Sequence, residues 1–317
     1  MNGLSKVSAS WLEIDESADG QRIDNFLVKT LKGVPRSHVY RILRSGEVRV
    51  NSGRIRASYR LQTGDRVRVP PVRVSTVPAA RPSSGTAPIG QSPLFEDDWL
   101  LAIDKPAGVA VHGGSGISMG VIERLRSERP DQPFLELVHR LDRETSGVLL
   151  LAKRRSALTN VHSQLREGRT QKLYRTLVLG QWSENSRSVR LPLRKYVSAG
   201  GERRVVVDED DGAVAITVFK LIGGCNGFSL LEAQLKTGRT HQIRVHLAHL
   251  GFPIAGDDKY GDFPANKALE KQGLKRMFLH AVSLKLKHPG SGELLHIQAP
   301  LPLELTRFLE SKNLEST

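Results

Sequence analysis

The sequence predicts a two-domain protein of mixed α and β structure, on the strength of three observations. At 317 residues the chain exceeds one small module and falls in the range of one or two domains. Its positive charge is concentrated in a single 56-residue stretch. A proline-rich stretch then separates that segment from a longer remainder, where strand-like alternation and helical spacing are interspersed.

Lys and Arg total 47 against 33 Asp and Glu, a net charge of +14. This excludes an acidic solvating protein and favours a polyanionic partner such as nucleic acid or an anionic membrane surface. Residues 20–75 hold 13 Lys/Arg and 3 Asp/Glu, so +10 of the excess lies there. Of the 16 prolines, 6 fall in residues 70–93, where they oppose both sheet pairing and helix. The expected organisation is a tail at 1–19, a basic domain at 20–75, a linker at 76–92 and a second domain at 93–317. The single cysteine, Cys225, excludes an internal disulfide framework and reads as a structural thiol. No secretory signal is visible, and the apolar run at 148–152 is far short of the ~20 residues of a membrane helix. A cytoplasmic protein is expected.

In the basic segment Ile23, Phe26, Leu27 and Leu31 recur at helical spacing. A second helix is expected after Pro35, with Ser37 as N-cap, Val39, Ile42 and Leu43 inward, and Gly46 as its stop. Val48 and Val50, the Asn51-Ser52-Gly53 turn, and the Val67/Val69 alternation predict a hairpin. Such a unit buries one apolar face and exposes a band of arginines. That band is either a solvated charged face or a tracker of RNA phosphates, which guanidinium forks match.

The segment resembles the αL RNA-binding motif found in ribosomal protein S4, through QRIDNFL (21–27), SHVYRILRSGEVRVNSGRI (37–55) and LQTGDRVRVP (61–70). The resemblance implies Arg36, Ser37, Arg41, Arg44, Arg49 and Asn51 as RNA contacts.

In the longer remainder three stretches stand out: LAIDKPAGVAVHGGSG (101–116), LVHRLDRETSGVLLLAK (137–153) and LKTGRTHQIRVHLAHLG (235–251). No G-x-S-x-G elbow accompanies the HGG turn, and no P-loop or Rossmann spacing occurs. His241, His246 and His249 lack the H-E-x-x-H pattern or a cysteine partner, so no metal site is expected. What remains is Asp142, flanked by Arg140 and Arg143 before a strand that should be fully buried. A neighbouring guanidinium keeps such a carboxylate ionised, fit for nucleophilic work. From spacing alone, a structural ion pair in a loop stays open beside catalysis.

HRLDRETSG resembles motif II of the RluA-type pseudouridine synthases. DKPAGVAVHGG is similar to their first motif, KLYRTLVLG (172–180) to the tyrosine-bearing strand, and TGRTHQIRVH (237–246) to motif III. Within the family, the runs QRIDNFL and LELVHRLDRETSGVLL place the chain nearest the branch acting on large-subunit (23S) ribosomal RNA.

The resemblance implies an α+β fold: an αL domain, then a catalytic domain built on a mixed, mostly antiparallel sheet. It implies cleavage of a uridine's N-glycosidic bond, rotation of the uracil and reattachment through C5, with no cofactor, nucleotide or metal. Asp142 would be the catalytic aspartate, acting on C1′ or through a glycal. Arg244 would pair with it, and Tyr174 would stack on the base. Arg140 would fill the place vacated by the flipped uridine. Arg239 and His241 would contact RNA or brace the loop. A monomer acting on ribosomal RNA or its assembly intermediate is expected. A sister synthase for other uridines or transfer RNA, and a non-catalytic RNA-binding assembly factor, are the alternatives.

Overall fold

The structure is a computed structural model that describes residues 8–31, 34–72, 92–113, 119–198, 200–225 and 227–314. Two compact units divide the chain between positions 83 and 84. The stretch expected as a linker lies almost wholly outside the described residues.

The first unit contains β1 (Ser10–Glu13), α1 (Ile23–Thr30), α2 (Arg36–Arg44), β2 (Arg49–Val50), β3 (Gly53–Arg54) and β4 (Arg66–Val69). The strands form an antiparallel sheet in the order β1-β4-β2-β3. Ile23, Leu27 and Leu31, four residues apart, bury one stripe against Val39, Ile42, Leu43, Val50 and Val67. Two expectations need correction. The sheet and core begin before residue 20: β1 pairs along β4, and Ile14 is 2% exposed. Strand β1 is short and its partner lies over 50 residues away, so no local pattern marks it. Nor does Ser37 cap α2. The helix starts at Arg36, after an extended Pro35 that makes no side-chain cap. The Pro35 carbonyl accepts from the His38 amide at 2.9 Å and the Val39 amide at 3.2 Å, so the first turn begins on backbone bonds.

The second unit contains β5 (Phe95–Glu96), β6 (Leu100–Lys105), α3 (Val121–Glu128), β7 (Glu136–Leu137), β8 (Ser146–Ala152), α4 (Arg155–Arg166), β9 (Gln171–Leu179) and β10 (Ser186–Val197). It continues with β11 (Arg203–Val207), β12 (Ala213–Cys225), β13 (Phe228–Leu235), α5 (Gln242–His249), α6 (Phe263–Lys271), β14 (Leu279–Lys287), β15 (Leu294–Gln298) and α7 (Leu303–Ser311). Among the described residues eleven strands make one sheet, β11-β10-β12-β13-β9-β14-β8-β6-β5, with β15 on β14 and β7 on β8. Every pairing is antiparallel except β14 with β8. The α+β class and the mixed, mostly antiparallel sheet therefore hold.

All seven residues of β8 are buried, as its apolar run predicts for a strand covered on both faces. Its entrance is tight: Gly147 has φ +105°, and a Cβ there would lie 2.2 Å from the Ala281 carbonyl oxygen. Only glycine lets β8 approach β14 so closely, which gives the TSG run its physical reason.

Candidate active site

Asp142 lies in the loop before β8, and backbone contacts fix that loop. Lys105, fully buried at the end of β6, donates from Nζ to the carbonyls of Pro106 (2.7 Å), Val109 (2.9 Å) and Arg143 (3.1 Å). Burial pushes its ammonium down to about 7, with the nearby Glu144 carboxylate opposing. Arg143 donates to the Gly108 carbonyl at 3.0 Å and pairs with Glu144, so it braces the loop and does not serve Asp142. On the loop's other side the Leu150 amide donates to His139 Nε2 at 3.2 Å, and burial holds that imidazole near 4.

The guanidinium facing Asp142 is Arg244, on α5: Nη1 is 3.5 Å from Oδ2. Arg244 is held more tightly by Asp257, through Nε–Oδ2 at 2.8 Å and Nη2–Oδ1 at 2.7 Å. Burial opposes both charges, but the pairing wins. Asp257 is held below its ordinary value and Arg244 above its own. The amides of Lys259 and Tyr260 also donate to Asp257, and the Arg244 guanidinium stacks 5.1 Å over the Tyr260 ring. His241, in the left-handed region at φ +54°, carries its Nε2 to 3.8 Å from Asp142 and its Nδ1 to 2.8 Å from the Tyr260 hydroxyl. Burial lowers its pKa, with the Asp142 charge opposing.

The turn that delivers His241 and Arg244 is built by Gln242. Its buried amide bonds Thr237 Oγ1, Arg239 N, Ile216 O and Thr217 Oγ1, so every polar group is satisfied.

Tyr174 enters from β9 and is 7% exposed. Burial, then the Asp142 charge, raises its phenol well above the ordinary value. Lys172, two residues earlier on the same strand face, is lowered by burial. Asp142, Tyr174, Lys172, Arg140, Arg239 and His241 line one cavity of about 340 Å3. That is within the ~300–1,000 Å3 of small-molecule sites. Among the described residues no group of three His, Cys, Asp or Glu side chains is arranged to hold a metal.

Two families match the chain: the S4 domain over residues 21–67 and RNA pseudouridylate synthase over 99–249. The chain is 52% identical to ribosomal large subunit pseudouridine synthase C of Pasteurella multocida, over 94% of this chain and 92% of that protein. The Escherichia coli protein of that name is also 52% identical, over 92% of each chain. The chain belongs to the RNA pseudouridylate synthase family. Among solved structures, human RNA pseudouridylate synthase domain containing 4 superposes with a TM-score of 0.59 at 27% identity, over 72% of this chain and 95% of that one.

The synthase fold thus brings together Asp142, Tyr174, Arg140, Arg239, His241 and Arg244 around one cavity. The remaining predicted residues lie in the first unit, where Arg36, Ser37, Arg41, Arg44, Arg49 and Asn51 are all exposed. The Asn51 amide is engaged within the fold: Nδ2 donates to Asp65 at 2.7 Å and Oδ1 accepts from Arg66 N at 2.8 Å. Sequence reasoning missed Asp257, Tyr260, Lys172 and Lys105. The signal for Asp257 and Tyr260 was a buried arginine in TGRTHQIR with no acidic partner nearby, followed by GDDKYG at 256–261.

Proposed function

We propose that this synthase converts uridines of large-subunit ribosomal RNA to pseudouridine, with Asp142 as the catalytic carboxylate. The observation that carries the reading is Asp142 lining one cavity with a buried tyrosine and facing an arginine whose own charge is already matched by Asp257. Such an arginine sets a positive charge beside Asp142 while its closest pairing is with Asp257. The N1–C1′ bond breaks, the uracil turns, C5 bonds C1′, the C5 proton leaves and N1 gains one. Atoms balance with no oxidant, group donor or metal, which supports a cofactor-free reaction. Tyr174 offers its ring to the uracil face, and Arg140 at the rim stands where a flipped nucleotide leaves a gap.

The names of the relatives support ribosomal RNA of the large subunit, or its assembly intermediate, as substrate. The exposed Arg36, Ser37, Arg41, Arg44 and Arg49 would hold its backbone. A monomer is the proposed state, and ribosomal RNA as substrate supports action in the cytoplasm.

The test follows tritium release from C5-labelled uridine in a ribosomal RNA transcript. Asp142→Asn should abolish release while RNA binding stays within about twofold. Release at the wild-type rate by the purified variant refutes the assignment.

A further inference from the structure

The reaction proposed above assigns no part to Tyr260, yet this side chain touches three elements that build the site. Its hydroxyl oxygen lies 2.9 Å from the Val205 amide on β11 and 2.8 Å from Nδ1 of His241. Its ring meets the His241 imidazole edge-on, with centroids 5.5 Å apart, and lies beneath the Arg244 guanidinium.

The partners of the phenol decide where each proton sits. Strand β11 is at the edge of the sheet and Val205 is buried, so its amide, which bonds outside the ladder, needs an acceptor there. That acceptor is the phenol oxygen. Burial pushes the Tyr260 hydroxyl up to about 12, against the Val205 amide and Arg244, so it keeps its proton at neutral pH. An amide N–H cannot accept that proton, and Nδ1 is the phenol's other partner. The hydroxyl therefore donates to Nδ1. Burial lowers the His241 pKa, with the Asp142 charge opposing, which favours the neutral imidazole. A neutral ring that accepts at Nδ1 carries its hydrogen on Nε2.

Nε2 faces Asp142 Oδ1 at 3.8 Å, while Arg244 Nη1 faces Oδ2 at 3.5 Å. Each oxygen of the carboxylate then has its own donor. The opposite tautomer would turn an Nε2 lone pair toward Oδ1 and repel it. Both ends of this chain of contacts are held. Glu202, just before β11, pairs with Lys259 at 2.7 Å, and Arg204 donates to the Lys259 carbonyl at 3.3 Å. These bonds fasten β11 to the turn that carries Tyr260. His241 sits at φ +54°, a left-handed conformation that a β-carbon disfavours and that persists where neighbouring contacts enforce it.

We propose that Tyr260 is a positioning residue: it fixes His241 as the Nε2–H tautomer and so orients the Asp142 carboxylate between His241 and Arg244. The proposal rests on the reading of Asp142 as the catalytic carboxylate.

The experiment uses the full chain with isotope-labelled histidine, and a transcript of large-subunit ribosomal RNA. Nitrogen NMR reads the rings, and the His241 resonances are identified by their absence from His241→Gln. Wild-type protein at neutral pH should show hydrogen on Nε2 and an unprotonated, hydrogen-bonded Nδ1. Tyr260→Phe keeps the ring beneath Arg244 and removes the hydroxyl. Its Nδ1 resonance should shift because the donor is gone, and kcat should fall about tenfold with Kd within about twofold. An Nδ1–H tautomer in the wild type overturns the proposal, and that measurement needs no variant to fold. Tyr260→Phe with wild-type kcat, with an unshifted Nδ1, or with a loss confined to Kd overturns it as well. Because the tautomer is read without turnover, the two readings separate. Wild-type protein with hydrogen on Nε2 that releases no tritium refutes the uridine reaction and leaves the tautomer assignment. Tritium release by protein with hydrogen on Nδ1 refutes the role of Tyr260 and leaves the reaction.

Discussion

Asp257→Asn is the most informative perturbation, because it touches neither substrate nor Asp142 directly. The Arg244 and Asp257 side chains are 5% and 1% exposed, so the variant leaves a buried guanidinium facing a neutral amide. Removing one partner of a buried pair costs about 3–5 kcal/mol. At about 2–4 °C per kcal/mol for a unit of this size, Tm should fall by roughly 6–20 °C. Activity should fall as well. At 3.5 Å from Asp142, Arg244 acts over a distance where a charge pair is worth several kcal/mol near a protein surface. Loss of that alignment should lower kcat by about 10²- to 10³-fold. The double variant Arg244→Met/Asp257→Leu removes both charges, and apolar replacement of a buried pair is often neutral or stabilising. It should therefore recover most of the lost Tm and none of the lost activity. The pH profile adds a signed check. The Asp257 pKa is depressed on folding, so its stabilisation is present above the unfolded value and is lost as pH falls through the folded one. Wild-type protein should thus lose more stability than the double variant on acidification below about pH 4. Calorimetry and tritium release measure the wild type and both variants. Asp257→Asn with wild-type Tm and kcat would refute the anchoring role, and so would restored activity in the double variant.

The other predictions are quickly stated. Gly147→Ala places a methyl 2.2 Å from the Ala281 oxygen at a left-handed φ, and should destabilise the second unit by at least about 3 kcal/mol in denaturant titration. Lys105 has a pKa lowered on folding to about 7, so the unfolded chain binds more protons above that pH. Stability should then rise by about 1 kcal/mol per pH unit between roughly pH 7 and 10, and Lys105→Met should lack the slope. Arg41→Gln and Arg44→Gln should each reduce the salt dependence of RNA binding by about 0.7 to 0.9, read by anisotropy at varied salt.

How much was legible depended on whether a signal was local. The stripe of Ile23, Leu27 and Leu31 gave α1, and the apolar run gave β8. Resemblance located Asp142, Tyr174 and Arg244. Spacing alone left Asp142 open between an ion pair and a catalyst, because its two neighbouring arginines were the obvious partners. The structure turns Arg143 onto Gly108 and Glu144 and brings in Arg244, 102 residues away. Lys105 was unreadable for a similar reason. A lysine in DKPAG signals exposure by composition, and only the folded loop shows three carbonyls converging on its ammonium.

That convergence ties scaffold to chemistry. Asp142 belongs to a loop, where a backbone would ordinarily be mobile and a carboxylate poorly placed. Three restraints act on it from independent elements. Lys105 fastens the Arg143 carbonyl to β6, and the Arg143 side chain fastens the loop to Gly108. The parallel contact of β8 with β14, permitted by Gly147, fixes where the loop ends. The Arg244–Asp257 pair is fixed from a fourth direction by α5 and the 257–260 turn. The carboxylate proposed as catalytic and its cation are thus held by separate parts of the fold, and their 3.5 Å separation is set by the fold and not by their mutual attraction. Weakening one restraint should therefore change the distance between them before it changes the charge on either.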